Sequence, residues 1–228
     1  MARTDPLKKY RDKRSADRTP EPFSSGSSES GRAYVIQKHA ARRLHYDFRL
    51  ELNGALLSWA VPNGPSRNPA DKQLAVHVED HPVEYADFEG IIPEGNYGAG
   101  AVIVWDRGTF SWLEDPEAGL EKGKLLFELH GQKLRGRWTL VKIKKADKEW
   151  LLIKERDGFA SDNGQDFPQD SVFSGLTVDE LGKGQTHAQE IEDALRALKA
   201  PHTRIDPAGV PLMHAETGDR AFTRADWL

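Results

Sequence analysis

Three chemically active side chains stand in succession on one face of a single predicted strand. In His45-Tyr46-Asp47-Phe48-Arg49-Leu50-Glu51-Leu52, the polar residues take one parity and Tyr46, Phe48, Leu50 and Leu52 take the other. Side chains on a strand alternate between its faces, so the run predicts an apolar face backed by one carrying an imidazole, a carboxylate and a guanidinium. A second imidazole, His39, lies six residues upstream of His45. Two imidazoles and a carboxylate make a three-ligand set for a divalent transition metal. Arg49 beside them is a planar donor fork suited to phosphate. The combination reads as a metal-assisted phosphoryl site.

A second polar run, His77-x-Glu79-x-His81, has the same spacing of two, with Pro82 biasing His81 toward extended backbone and Tyr85 four residues on. One such histidine alone is more often structural. The argument rests on clustering, since five of the eight histidines (39, 45, 77, 81 and 130) fall in one segment. Two rivals stay open at the level of the residues. His45-x-Asp47 with a distant histidine is also the facial triad of non-haem Fe(II) oxygenases, and a non-catalytic metal-binding barrel would use the same ligands. Arg49 suits a phosphate better than a metal-bound oxygen.

The elements that must position these groups are short strands. Residues 33–37 begin the first, and Asn53-Gly54 between two apolar-alternating runs is the signature of a tight hairpin. Further strands are expected at 74–79, at 101–105 and 109–113 as a hairpin about Asp106-Arg107-Gly108, and at 124–129, 137–144 and 149–154. About eight strands with little helix predict an all-β fold, an antiparallel barrel or sandwich; the barrel is favoured because the polar face then lines its interior or mouth, although a sheet with one wet concave face would serve equally well. Thr186-His187-Ala188-Gln189 resembles a capping box opening a helix to Lys199. The expected organisation is an N-terminal arm, partly ordered, over 1–30, a barrel over 31–156, an acidic loop and C-terminal helix over 157–200, and a linker over 201–228.

Composition excludes several classes. The chain of 228 residues has 38% hydrophobic and 30% charged residues and no cysteine, so disulfides and thiolate ligands are unavailable. No apolar run approaches the ~20 residues of a membrane span, and the first residues lack the apolar core of a signal peptide. A cytoplasmic monomer with no membrane partner is the expectation. The net charge of −4 hides local basic patches: residues 1–18 hold seven Lys/Arg against three Asp, and residues 32–49 hold five against one. Such patches matter more for phosphate contact than the total does.

Several blocks agree in order with one family. The run Lys38–Leu52, Trp59-Ala60-Val61-Pro62, His77-Val78-Glu79-Asp80-His81-Pro82, Glu84-Tyr85 and Phe88-Glu89-Gly90…Pro93-Glu94-Gly95-x-Tyr97-Gly98-Ala99-Gly100 resemble the 3′-phosphoesterase domain of bacterial DNA ligase D, as does Thr19-Pro20-Glu21-Pro22. The likeness covers about residues 8–156. It implies a β-barrel that heals DNA ends in non-homologous end joining, trimming a 3′-terminal ribonucleotide and then removing the 3′-phosphate. By resemblance His39, His45 and Asp47 hold Mn²⁺ or another divalent transition metal. Arg49 and His81 hold and activate the phosphate with Tyr85 nearby, Arg14 joins in phosphate binding, and Glu21 and Glu79 support. His81 is expected to act as general acid and water to attack directly. The resemblance also implies association with the nucleoid. The implied partners are DNA 3′ ends or primer-templates with a 3′-terminal ribonucleotide, and an ATP-dependent DNA ligase linked covalently or functionally. Residues 211–228 resemble the lead-in to a ligase adenylation domain, which suggests an excised domain or a stand-alone relative. In three places the pattern departs: Ser15-Ala16 follow Arg14 where the family reads Asp-Phe, and Asn63 and Gln73 stand where it has Lys and Arg. Loss of two cations near the substrate is expected to weaken the doubly charged monoester more than the diester.

Overall fold

The computed structural model describes residues 5–23, 31–144, 147–186, Asp193 and Ala197. The chain divides into two units, Met1–His187 and Ala188–Leu228, and every element below belongs to the first. The helix expected over 187–199 falls outside the described residues except at Asp193 and Ala197, both helical, and the 201–228 tail lies wholly outside them.

Helix α1 (Lys8–Asp12) precedes nine strands: β1 (Ala33–Ala40), β2 (Leu44–Leu52), β3 (Ala55–Val61), β4 (Gln73–His77), β5 (Gly90–Ile92), β6 (Gly100–Trp112), β7 (Lys124–Gly131), β8 (Arg135–Lys142) and β9 (Glu149–Lys154). A 3-10 turn, Val83–Asp87, precedes β5; α2 (Pro116–Lys122) joins β6 to β7, and α3 (Val178–Gly182) follows β9. The strands run β1-β2-β3-β4-β9-β8-β7-β6 and β6 returns to pair with β1, so eight antiparallel strands close a barrel, with short β5 attached outside the ring to β6. No helix among the described residues is long and apolar enough to cross a membrane.

All eight ring strands contribute to one apolar cluster, which is therefore the barrel interior; Trp59, Trp105, Trp138, Trp150, Phe48 and Phe127 belong to it. A ring of eight strands has a lumen just wide enough for side chains to fill, and these indoles and phenyl rings fill it. The expectation that the polar face of β2 lines the barrel's interior or mouth is thus corrected. Phe48 and Leu50 point inward, so Asp47 and Arg49 point to the outer face. That outer face is itself covered. Tyr10 from α1, Tyr85, Phe88 and Ile92 pack on Val35, Leu56, Val102 and Val104 in a second apolar cluster. Both faces of β2 are consequently buried from Asp47 through Glu51.

Local chemistry sets the turns. Asn53 and Gly54 both have positive φ (53° and 79°), the backbone of a type I′ turn, and join β2 to β3 as expected. The second expected hairpin does not form. Residues 100–112 are one continuous strand, with a register shift opposite Ile36/Gln37 that leaves Trp105 as the extra residue of a bulge. Asp106, fully buried, is an acceptor rather than a turn residue. Its carboxylate takes the backbone N–H groups of Gln132 (3.0 Å), Lys133 (2.9 Å) and Leu134 (2.8 Å) in the β7–β8 turn, and the Tyr34 hydroxyl. Gly108 is a glycine because its strand passes close to β7: a Cβ there would lie 2.3 Å from the His130 carbonyl oxygen. A capping box exists at Thr177/Glu180, opening α3, nine residues before the one expected.

Asp106→Ala leaves three turn amides and a buried tyrosine hydroxyl without their acceptor. The expected loss is about 3–5 kcal/mol of unfolding free energy, read by urea denaturation. A loss under ~1 kcal/mol would show that the turn finds other partners.

Candidate active site

The β1–β2 pairing assembles the first group of residues. Its register sets His39 directly opposite His45, and Gln37 opposite Asp47. Cross-strand neighbours on one face meet, and the two imidazole rings lie 4.8 Å apart. Nδ1 of His39 is 3.6 Å from one Asp47 oxygen and Nε2 of His45 is 3.7 Å from the other. Both separations are too long for hydrogen bonds. One donor atom from each residue falls within 4.8 Å of the others. Donors at roughly 2.1 Å from a tetrahedral centre lie about 3.4 Å from one another, so this spacing fits ligands of a single ion.

The outward nitrogens strengthen that fit. Nε2 of His39 donates to the Gly98 carbonyl (2.7 Å) and Nδ1 of His45 to the Arg43 carbonyl (2.9 Å). Each backbone carbonyl fixes the tautomer, leaving the nitrogen that faces Asp47 as a lone pair, which is the arrangement found around metal-binding histidines. Burial opposes charge on Asp47, but Arg49 and the two imidazoles outweigh it and hold the carboxyl well below its usual range. Burial also opposes charge on His45, and Asp47 more than offsets it, raising that imidazole.

Arg49 is almost wholly buried and held at three points: Nε donates to Gln37 Oε1 (2.9 Å), Nη1 to Ser58 Oγ (2.8 Å), and Nη2 lies 3.2 Å from Asp47. Gln37 is pinned in turn by donating to the carbonyls of Tyr85 (2.9 Å) and Phe88 (2.8 Å). The Tyr85 ring lies under the guanidinium at 4.9 Å. Neither Gln37 nor Ser58 was singled out from the sequence. Their parity on β1 and β3 would have indicated them only once the strand pairing was known.

The N-terminal arm supplies a second guanidinium. Tyr10 is fully buried, its hydroxyl donating to the Pro22 carbonyl (2.8 Å), and this anchors Arg14 over the barrel. Arg14 donates from Nε to Glu21 (2.8 Å), from Nη1 to Glu79 (3.1 Å) and from Nη2 toward His81 Nε2 (3.3 Å). Burial works against its charge, and Glu21 more than compensates. Thr19 Oγ1 (2.8 Å) and the Tyr85 hydroxyl (2.9 Å) both donate to Glu21, and Lys13 donates to Glu79 (2.9 Å).

His81 and Tyr85 are held in forms that alter their expected roles. Nδ1 of His81 donates to the Glu79 carbonyl (2.9 Å), so Nε2 presents a lone pair to Arg14. Burial, with Arg49 and Arg14, keeps the imidazole neutral, well below its usual range. Held this way, Nε2 of His81 faces Arg14 as an acceptor, and the expected general-acid role requires that nitrogen to take up a proton first. Burial first, and Glu21 next, push the Tyr85 phenol well above its usual range. Its hydroxyl addresses Glu21, and its ring positions Arg49 and His81.

These groups share one open cleft of about 920 Å³, lined by Arg14, His39, His45, Asp47, Arg49, Glu79, His81 and Tyr85, with Glu21 behind Arg14. At its rim stand Arg42, Arg43 and Tyr97, which lie within the runs Lys38–Leu52 and Phe88–Gly100 but are not among the expected site residues. Of the five clustered histidines, 39, 45 and 81 converge. His77 packs instead against Trp59 and Trp150, and exposed His130 pairs with Arg135 on the far strands. Asn63 and Gln73 do not line the cleft. Gln73 has the parity of Ala75, an interior residue, and so lies on the other side of the sheet from Arg49; Asn63 is exposed in the turn after β3. The expected effect of these two positions on the monoester therefore has no structural basis.

A closed barrel with a two-histidine, one-aspartate cluster and two buried guanidiniums on its outer face has the donor set that suits a phosphate ester. Residues 37–142 match the family described as the DNA Ligase D 3′-phosphoesterase domain, and this part of the chain belongs to that family. The chain is 54% identical over 165 residues to the Pseudomonas aeruginosa multifunctional non-homologous end joining protein LigD, covering 70% of this chain and 20% of that protein. It is 48% identical over 143 residues to the LigD protein of Mycobacterium tuberculosis (60% and 18%) and 42% over 163 residues to that of Mycolicibacterium smegmatis (67% and 21%). The match spans about a fifth of the length of these relatives.

Asp80, between Glu79 and His81, gives a pH test. Burial pushes its carboxyl up to about 6; Lys9 opposes this and Glu79 adds to it. A folded pKa above the unfolded value means that ionisation costs stability, little below about pH 4 and fully above about pH 6.5. Asp80→Asn should therefore raise stability at pH 7.5 by up to about 2–3 kcal/mol and by only about 0.5 kcal/mol at pH 4. Thermal unfolding at the two pH values measures this; a pH-independent difference would contradict it.

Proposed function

We propose that this protein is a metal-dependent 3′-end-healing phosphoesterase, which removes a 3′-terminal ribonucleotide and a 3′-phosphate from DNA ends to leave a 3′-OH that a ligase can seal. The observation that carries the reading is the convergence, in one open cleft, of a spaced His-His-Asp donor set with two immobilised guanidiniums and a neutral imidazole. His39, His45 and Asp47 would hold the metal, with Mn²⁺ the expected ion. When bound, such an ion polarises phosphoryl oxygens and lowers the pKa of a coordinated water.

The chain's own residues do the rest. A guanidinium has five N–H donors; Arg49 and Arg14 each use three directions on protein partners, and the remainder can address phosphate oxygens. Because those partners fix both groups beforehand, charge developing on the phosphoryl oxygens is met without reorganisation. Nε2 of His81 is the acceptor for a proton released during attack. Among the described residues no Ser, Thr or Cys lines the cleft, which favours direct attack by water over a covalent seryl or cysteinyl intermediate. Arg42 and Arg43, both exposed at the rim, supply charge for a nucleic-acid backbone. The names of the relatives support a role in non-homologous end joining and a linked DNA ligase as the functional partner.

The direct test is a duplex carrying a single 3′-terminal ribonucleotide, incubated with and without Mn²⁺ and resolved on a gel. The expected products are a 3′-phosphate end and then a 3′-OH end. EDTA and His39→Ala should each reduce both to background, with an unchanged circular dichroism spectrum for the variant. Undiminished hydrolysis in EDTA would overturn the metal-dependent reading.

A further inference from the structure

The loop Pro93–Gly100 borders the cleft, yet nothing in the chemistry above uses its exposed aromatic residue. Tyr97 lines the cleft with 51% of its surface exposed. Its neighbours hold the ring there. Lys13 Nζ lies 4.5 Å from the ring centre and donates to the hydroxyl (3.3 Å), and the Arg14 guanidinium lies 5.2 Å from the ring centre. The loop is braced on both sides of Tyr97. Gly98 gives its carbonyl to His39, and Asn96 donates to the carbonyls of Arg18 (3.1 Å) and Pro93 (3.2 Å). Gly100 has φ +143°, and a Cβ there would lie 2.1 Å from the Ala40 carbonyl oxygen, so the loop's exit is forced against β1. The result is an aromatic ring fixed at the mouth of the site with much of its surface uncovered.

Charge sorts the two ends of the cleft. Arg43 flanks the cluster on the His45 side, and it and Arg42 make no ion pair among the described residues. Tyr97 flanks it on the His39 side, where Lys13 and Arg14 are already paired with Glu79 and Glu21. A DNA strand ending at the scissile phosphate has further phosphates on its 5′ side and none beyond its terminal nucleoside. The free guanidiniums suit the phosphate-bearing side, and a neutralised aromatic platform suits the nucleoside side.

We infer that Tyr97 is a stacking platform for the base of the 3′-terminal nucleoside, the leaving group of the diester step, and so sets that step's substrate preference. The inference rests on the phosphoesterase reading above and deepens it. Stacking on an aromatic side chain tolerates every base, so the site accepts any terminal ribonucleotide but discriminates against a terminal sugar without a base. Removal of a 3′-phosphate involves no such leaving group and does not use the ring.

Two measurements on the full chain with Mn²⁺ test this. In the first, Tyr97→Leu raises KM for the 3′-ribonucleotide duplex about ten-fold or more, Tyr97→Phe stays within about two-fold of the parent, and removal of a 3′-phosphate is unchanged in both. A duplex ending in an abasic ribose shows the same rise in KM with the parent protein and no further rise with Tyr97→Leu. An equal loss in both steps, or no loss in either, overturns the platform. The second needs no turnover. The fluorescence of 2-aminopurine at the 3′-terminal position is quenched on binding the parent protein but not Tyr97→Leu, and the same probe placed five nucleotides inward responds equally to both. Hydrolysis without that quenching overturns the inference and leaves the phosphoesterase intact; absence of hydrolysis overturns the phosphoesterase reading and with it the role of Tyr97 in the diester step.

Discussion

Burial of the Arg49 guanidinium on the outside of the barrel is the constraint around which the rest of the structure is arranged. Moving a guanidinium out of water costs several kcal/mol unless its donors are met. Here Gln37, Ser58 and Asp47 meet them from three adjacent strands, and Tyr85 closes the open face. Each partner is tied down in turn: Gln37 by two carbonyls around the 3-10 turn, Ser58 by the Leu56 carbonyl, Asp47 by its place between two imidazoles. Arg14 repeats the scheme from the arm with Glu21, Glu79 and His81. The two networks meet at His81 and Tyr85, so the arm and the 78–99 segment are positioned by the same contacts that form the site.

This arrangement separates two tasks. The interior, packed with tryptophan and phenylalanine, supplies stability and fixes strand register. The outer face of β1–β3 supplies chemistry, and its groups stand on strands rather than on loops. Side chains on regular elements hold their geometry more closely than loop side chains do. Arg14, Glu79, His81 and Tyr85 stand on connecting segments pinned by the contacts described above, and Arg42, Arg43 and Tyr97 stand on loops at the rim of the cleft.

Much of this was legible in the chain itself. Period-two alternation marked β2, Asn53-Gly54 marked its hairpin, and the polar residues of that strand face are the ones that gather in the cleft. The arm could not be read by alternation because its order comes from Tyr10 in an apolar pocket made by other elements. The Asp106-Arg107-Gly108 run misled because the same residues that favour turns also serve a buried acceptor and a close strand crossing. His77 misled because spacing carries no sign of which face its neighbours fill.

The amino-acid sequence by itself determined the strand periodicity, the one-face grouping of His45, Asp47 and Arg49, and the family, since these depend on residue type and spacing alone. Tertiary structure decided the rest: which face became the lumen, which partners reach Arg49, the tautomer and neutrality of His81, and the distance of Asn63 and Gln73 from the site. Closure of the ring makes those choices. Once β6 pairs with β1, one parity of every strand must fill a lumen just wide enough for side chains, here mostly apolar ones, and the other must find its cover outside.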